Sequence, residues 1–473
     1  MKPSRLLVRY GGFIFSVGGA RITGLLITSL TFPYLVRRLG VEMYGLWSYV
    51  LAVCAFINIV ANPGLGTYAA QQVASRREAA FDLIPDILSL RLVSSLVASV
   101  PLFVIASFEA RPEVRQLFHW FGIGILIINI LNSDYLLTAL EMFHANSFLT
   151  IVQQGLYAIG VFKFIRSPKD ILWLPGSILG SSLLTSVSGW VVLWRHGFRM
   201  TWRIQPERWK GILGPSLHYA ASSVMSNLYA RTGHIIVHWF LGDYALGLYA
   251  ATTRFVDISR NFVLIALNVL TPRMALAART EAGLGRLARF AFVVVAALSI
   301  PLMLGLIGTA QLIVPWLMGA KYLGAVPLLR WMAPYIVMGS FASLLSGTIL
   351  YAMGRYRAYL ASTGGGAIAG ILLYAPLIAI LGLRGACLAL VLAEATVAGI
   401  AYFLLPRELH SVWRNPMVGY VLLSGLAMLC VVRILNHYTS NPLAVISTGG
   451  FVYVILCFWP FKKWLVSQLA SST

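Results

Sequence analysis

Acidic residues are scarce in this chain. Only 15 of its 473 residues are Asp or Glu, and charged residues of both signs make up 11%. A soluble domain carries about 25% charged residues, so a water-facing globular surface is excluded. Cysteine is also rare: Cys54, Cys387, Cys430 and Cys457 are scattered through apolar segments without paired spacing, which argues against a disulfide framework or a cysteine-bound metal. No loop is long enough to form a soluble domain, and no nucleophile elbow, phosphate-binding loop or metal-ligand set occurs. What is present is apolar: 59% of residues are hydrophobic. Runs such as Leu25–Tyr34 and Ala291–Gly308 are continuous rather than alternating, the signature of membrane helices and not of a barrel. The basic start, MKPSRLLVRY, leads straight into a run of membrane length and reads as a retained first helix.

Against that background the arginines stand out. Arg21 lies in the middle of an apolar run with no acidic partner nearby, and Arg91, Arg231, Arg254, Arg260 and Arg330 also fall in or at the edge of apolar segments. A cation at mid-bilayer depth costs roughly 2.5–3.5 kcal/mol on insertion scales, so it is retained facing a bundle interior or a wet cavity. Repeated arginines in such places predict a path for something anionic. The formal net charge of +21 would suggest nucleic acid in a soluble protein. Here most of it is topological, because cytoplasmic loops retain Lys and Arg.

The hydropathy pattern predicts an all-α membrane protein of about fourteen transmembrane helices. With the N-terminus inside, twenty basic residues fall on the cytoplasmic side and ten on the outer side, the other six being the arginines above. Both termini are therefore expected in the cytoplasm. The expected organisation is an N-terminal lobe over 1–196, a cytoplasmic connector over 197–210, a C-terminal lobe over 211–406 and a closing helix pair over 407–473. The connector sequence RHGFRMTWRIQPERWK mixes Arg with Trp202 and Trp209. It fits an interfacial helix on anionic lipid, or an ordinary basic loop.

The chain also repeats itself. Leu39-Gly40-Val41-Glu42-Met43-Tyr44-Gly45-Leu46-Trp47 aligns without gaps to Leu241-Gly242-Asp243-Tyr244-Ala245-Leu246-Gly247-Leu248-Tyr249, 202 residues later, with four identities. Each copy joins the first two helices of its half, which predicts a duplicated six-helix unit. At these residues, in ARITGLLITSLTFPYLVRRLGVEMYGLWSYV and FLGDYALGLYAATTRFVDISRNFVLIALNVLTPRMA, the sequence resembles the polysaccharide-biosynthesis flippases of the multidrug/oligosaccharidyl-lipid/polysaccharide exporter superfamily.

The resemblance implies two six-helix lobes around a central cavity, plus two C-terminal helices, in a bacterial cytoplasmic membrane. It implies a cargo of lipid-linked oligosaccharide whose undecaprenyl pyrophosphate headgroup crosses by alternating access. It implies a transporter beside membrane lipid, with a polysaccharide polymerase or glycosyltransferases as candidate neighbours; no cofactor is expected, and coupling to H+ or Na+ and uncoupled transport both stay open. A pyrophosphate is what a planar, permanently charged fork binds well. Rival expectations are an integral-membrane polymerase or glycosyltransferase, which usually carries a large extracytoplasmic loop, and a cation-coupled drug exporter. The drug-exporting branch uses carboxylates, and the first helix here has none.

Arg21 and Arg231, in the first helix of each half, are the leading headgroup candidates. For Arg21 the alternative is a structural arginine capped by carbonyls, and for Arg231 it is snorkelling to the interface. Arg254, Asp257 and Arg260 are spaced by threes on one helix, an arrangement that suits an internal ion-pair cluster or direct cargo contact. Asp257, Asp134 and Glu394 are the candidates for ion coupling, although a carboxylate between two arginines keeps its charge. His234 and His238 lack a third ligand for zinc. Arg91 and Arg330 lie nearer predicted helix ends, where snorkelling suffices.

Overall fold

The computed structural model describes residues 3–76, 79–278 and 281–470. The side chains of residues 3–18, 20, 21, 79, 80, 218, 221–223, 226–230, 272, 281, 282, 411–414, 465 and 467–470 lie outside that description. Among the described residues there is no strand. The chain divides into two compact units, 1–231 and 232–473.

Unit 1 holds α1 (Pro3–Ala61), α2 (Leu65–Ser75), α3 (Ala79–Phe108), α4 (Pro112–Leu131), α5 (Asp134–Ala139), α6 (Phe143–Phe164), α7 (Trp173–Arg195) and the start of α8 (Pro206–Ala277). Helix α3 packs on α4, and α6 packs on both α7 and α1. A core of Leu65, Ile87, Leu88, Leu136 and Leu193 joins α2, α3, α5 and α7. Gly64 begins α2 in a left-handed conformation, φ 75°, and a Cβ there would run into the Ser216 carbonyl of α8. The Asn62–Gly64 break thus brings two backbones together as only glycine allows.

Unit 2 continues α8 and adds α9 (Glu281–Met318), α10 (Ala325–Met332), α11 (Pro334–Ala342), α12 (Tyr356–Leu381), α13 (Leu383–Leu404), α14 (Pro416–Tyr438) and α15 (Pro442–Ala470). After α11 the chain widens into a π-helical stretch, Ser343–Leu350. The last two helices are fastened to α9: Asn436 Nδ2 donates to the Gly308 carbonyl at 2.9 Å and Tyr453 Oη to that of Ala297 at 2.7 Å. Their apolar seam, with Val421, Met428 and Val432, belongs to the unit's main core.

Among the described residues ten stretches are long and apolar enough to cross a membrane. Helices α1 and α8 each contain two crossings and α6 contributes one, which brings the architecture to the expected fourteen. Side chains such as Leu30, Ile380, Phe403 and Phe451 are each at least 66% exposed, a surface suited to acyl chains and not to water.

The duplicated sequence turn is duplicated in geometry. Within α1 the helix breaks at Gly40 with φ 75° and ψ 177°; within α8 it breaks at Gly242 with φ 78° and ψ −176°. That region of backbone space is essentially reserved for glycine. The two identical glycines therefore make the same bend in each half.

The connector departs from the interfacial-helix expectation. Residues 198–205 carry no helix, and the stretch is held against unit 1. Phe198 is 2% exposed and stacks on Phe81 at 4.9 Å, while the Arg203 amide donates to Ser89 Oγ at 3.0 Å. Pro206 starts α8 and biases the residue before it towards extended backbone.

Candidate functional site

In unit 2, α8 carries Arg254, Asp257 and Arg260, and the structure treats them differently. Arg260 is 9% exposed. Its Nη1 donates to Tyr335 Oη at 2.8 Å, and its Nη2 to the Gly339 carbonyl at 2.8 Å and Ser343 Oγ at 2.7 Å. Nη1 also lies 3.4 Å from Oε1 of Glu394, which is 1% exposed on α13. Tyr335 Oη in turn donates to Asp257 Oδ1 at 3.1 Å. One guanidinium therefore meets two carboxylates, Glu394 directly and Asp257 through a tyrosine hydroxyl. These partners come from α11, the π-helical stretch after it and α13. Buried charges persist only with such pairing and hydrogen bonding. The π-helical geometry is of the kind that often accompanies functional sites. Arg254, by contrast, is exposed.

The neighbouring histidines are occupied in other ways. His238 Nδ1 sits 2.9 Å from Asp243 Oδ1, and the His234 ring meets Tyr249 edge-on at 5.4 Å. Tyr249 in turn shares a 3.0 Å hydroxyl contact with Tyr374 of α12. Among the described residues no group of three His, Cys, Asp or Glu is placed to hold a metal.

Unit 1 contains a second buried arginine, and here snorkelling does not apply. Arg91 is 1% exposed, well inside α3. Its Nη1 donates to the carbonyls of Asn129 and Asn132, each at 3.1 Å, and its guanidinium carbon lies 4.1 Å from the Tyr135 ring centre. The cause is the break between α4 and α5, whose carbonyls lose their helical partners and carry the negative end of a helix dipole. Asn129 completes the junction, donating to the Ala61 carbonyl at 2.6 Å and Ser95 Oγ at 2.7 Å. The Asn132-Ser133-Asp134 interruption is the sequence feature that could have pointed here.

The remaining candidates are dispersed. The Arg21 side chain lies outside the described residues. Arg231 is half-buried, at the last position of unit 1. Asp134 is exposed and accepts from Asn132 Nδ2 at 3.3 Å. Arg330 is exposed near the end of α10.

Fourteen crossings, glycine-bent helices repeated in each half and arginines lodged in the spans define a polytopic membrane transporter. The family described as polysaccharide biosynthesis protein matches residues 13–277, more than half of the sequence, and the chain belongs to that family. None of the curated proteins matches it. Among solved structures it is similar to the lipid II flippase MurJ in an inward closed conformation, with a TM-score of 0.76 and 18% identity over 96% of this chain and 99% of that one. An inward-facing multidrug resistance MATE family transporter of the MOP superfamily matches with a TM-score of 0.65 and 16% identity, covering 83% and 96%. A MOP superfamily transporter from Pyrococcus furiosus, noted for the reverse polarity of its binding pocket, matches with a TM-score of 0.51 and 15% identity over 85% and 96%. These likenesses show the shared fold.

Proposed function

We propose that the protein is a flippase that carries a lipid-linked oligosaccharide across the bacterial cytoplasmic membrane by alternating access. It acts as a transporter and not as an enzyme, with undecaprenyl pyrophosphate as the lipid anchor. The observation that carries the reading is family membership combined with a fold shared over nearly the full length with a lipid II flippase. On this reading 1–196 and 211–406 are the two lobes, 197–210 joins them, 407–473 is an appended pair, and both termini are cytoplasmic. A polymerase or glycosyltransferases supply and consume the cargo.

Arg21, Arg231 and Arg254 are the proposed headgroup ligands. Arg254 supports this because it is exposed while Arg260, six residues on along the same helix, is buried. Arg260 is already engaged by Glu394, Tyr335, Gly339 and Ser343, so its proposed part is to fix the face of α8 that presents Arg254. Asp257 and Glu394 sit where proton or sodium movement would loosen that network, which makes them the proposed coupling residues ahead of Asp134. Arg254→Gln and Arg21→Gln remove charge without adding bulk. Each should abolish glycan export in cells while leaving the amount of protein in the membrane unchanged. Arg21→Lys should restore export only in part, since a point charge loses the paired geometry. Full export by both Gln variants would refute the headgroup assignment.

A further inference from the structure

The glycine bend is shared by the two halves in backbone but not in chemistry. At the offset of 202 residues, Trp239 and Phe240 precede Gly242 where Arg37 and Arg38 precede Gly40, and Ile236 stands for Tyr34. The helix dipole favours cations at such helix ends, but the second half makes the same bend without them. Five of the ten basic residues counted on the outer side nevertheless gather near the first bend. Arg37 and Arg38 lie at it, and Lys163, Arg166 and Lys169 lie where α6 gives way to α7. Such a group opposes the usual cytoplasmic retention of Lys and Arg.

Two short columns of rings carry cations here. In the first, the Arg38 guanidinium carbon lies 5.3 Å from the Tyr34 ring centre, and Tyr34 meets Phe162 of α6 edge-on at 4.8 Å. Tyr34 Oη donates to the Ile165 carbonyl at 2.7 Å, which brings Arg166, the next residue, to the same place. In the second, Lys163 Nζ lies 5.6 Å from the Phe164 ring centre, and Phe164 stacks on Trp173 at 5.1 Å. Arg38, Lys163, Arg166 and Lys169 are all exposed, as are the rings of Phe162, Phe164 and Trp173.

Little negative charge offsets the cations. Residues 34–42 and 162–170 hold Glu42 and Asp170 against the five. Asp170 Oδ2 is engaged within its own turn, accepting from the Arg166 and Ser167 amides at 3.0 and 2.8 Å and from Ser167 Oγ at 3.0 Å. Among the described residues Arg38, Lys163, Arg166 and Lys169 form no ion pair.

The rings select among anions. A soluble anion would use the charges and leave Phe162, Phe164 and Trp173 in water, whereas an anionic lipid uses both. Helix α7 gives the depth. Trp173 opens it and the exposed Trp194 follows 21 residues later, about 31 Å along the axis, close to the thickness of a bilayer's hydrocarbon core. Trp173 therefore stands at an interface, where aromatic belts lie and lipid phosphates begin. We infer that the ends of α1 and α6 beside this bend form a binding site for an anionic phospholipid. Its phosphate lies among Arg38, Lys163, Arg166 and Lys169, and its acyl chains run along Phe162, Phe164 and Trp173. A bound headgroup would hold the Gly40 bend to α6, a fastening that the Gly242 bend lacks. The inference goes beyond the flippase reading and does not depend on it.

The test places the full-length protein in phosphatidylcholine vesicles doped with a small share of phosphatidylglycerol carrying a diazirine in one acyl chain. A parallel arm uses phosphatidylcholine with the same diazirine. After irradiation, mass spectrometry of proteolytic fragments locates the adducts. Fragments covering residues 162–173 should take up the phosphatidylglycerol probe on the order of tenfold more than the phosphatidylcholine probe, as expected for one net charge-assisted contact. The triple variant Arg38→Gln, Arg166→Gln, Lys169→Gln should bring the two probes level there and leave labelling of α15 unchanged. Salt at about 1 M, where the Debye length is about 3 Å, should do the same to the wild type and needs no variant. Equal labelling by the two probes in the wild type, or a preference that survives both the triple variant and high salt, overturns the site. Loss of the phosphatidylglycerol label to an equal amount of unlabelled farnesyl pyrophosphate overturns the phospholipid assignment in favour of the transported headgroup.

Discussion

Replacing Glu394 by Gln keeps the shape of the side chain and removes its charge, leaving the buried Arg260 without a carboxylate in direct reach. At the observed 3.4 Å separation, an effective dielectric of about 20 gives an attraction of roughly 5 kcal/mol. Measured losses on breaking one side of a buried pair run about 3–5 kcal/mol. The two figures agree, and the hydrogen bonds from Arg260 to Tyr335, Gly339 and Ser343 survive the change, so we expect Glu394→Gln to destabilise the protein by about 3–4 kcal/mol. Removing both charges with Arg260→Met and Glu394→Leu should bring stability back to within about 1.5 kcal/mol of wild type, because neither member of the buried pair is left without the other. Equilibrium unfolding in mixed detergent and SDS micelles measures wild type, Glu394→Gln and the double variant side by side. Glycan export by the double variant then reports on role. A stable variant that exports identifies Arg260 as an anchor for α8, whereas a stable variant that does not export makes it part of the path. The reasoning fails if Glu394→Gln alone is as stable as wild type, or if the double variant is no better than the single one.

Gly40→Ala and Gly242→Ala should each cost about 1–3 kcal/mol, and by nearly equal amounts. Both positions share one glycine-only backbone conformation and have open space where a Cβ would go. A marked inequality in their unfolding free energies would argue against equivalent turns in the two halves. Cysteines placed at the exposed positions 323 and 437 should react with an impermeant maleimide from outside the cell, and one at exposed 356 only after permeabilisation. The opposite pattern would reverse the orientation.

The helices were legible in the sequence because long Leu, Val and Ala runs carry their own signal. The paired bends at Gly40 and Gly242 were legible because the duplication preserved both glycines. The spacing of Arg254, Asp257 and Arg260 marked α8 as unusual. Glu394, 134 residues beyond Arg260, joins it only through the packing of α13, and no periodicity foretells that. Arg91 was misread for a related reason. Its distance along the chain from a helix end suggested snorkelling, whereas what holds it is a break in another helix, with carbonyls 38 and 41 residues downstream. The cations around Tyr34 read in the sequence as separate loop residues, and only the packing of α6 on α1 groups them.

The buried arginines also set an order of events during synthesis. When α3 leaves the ribosome, the carbonyls of Asn129 and Asn132 have not yet been made, so Arg91 enters the insertion machinery as a bare cation. The strong apolar character of Phe81–Phe108 offsets the roughly 2.5–3.5 kcal/mol this costs, and α4 relieves it about forty residues later. Arg260 waits longer, since Tyr335 lies 75 residues ahead and Glu394 is on α13, the last long helix before the closing pair. The second crossing of α8 carries Arg254, Asp257 and Arg260 together, so a chain truncated before α13 would leave Arg260 without Glu394.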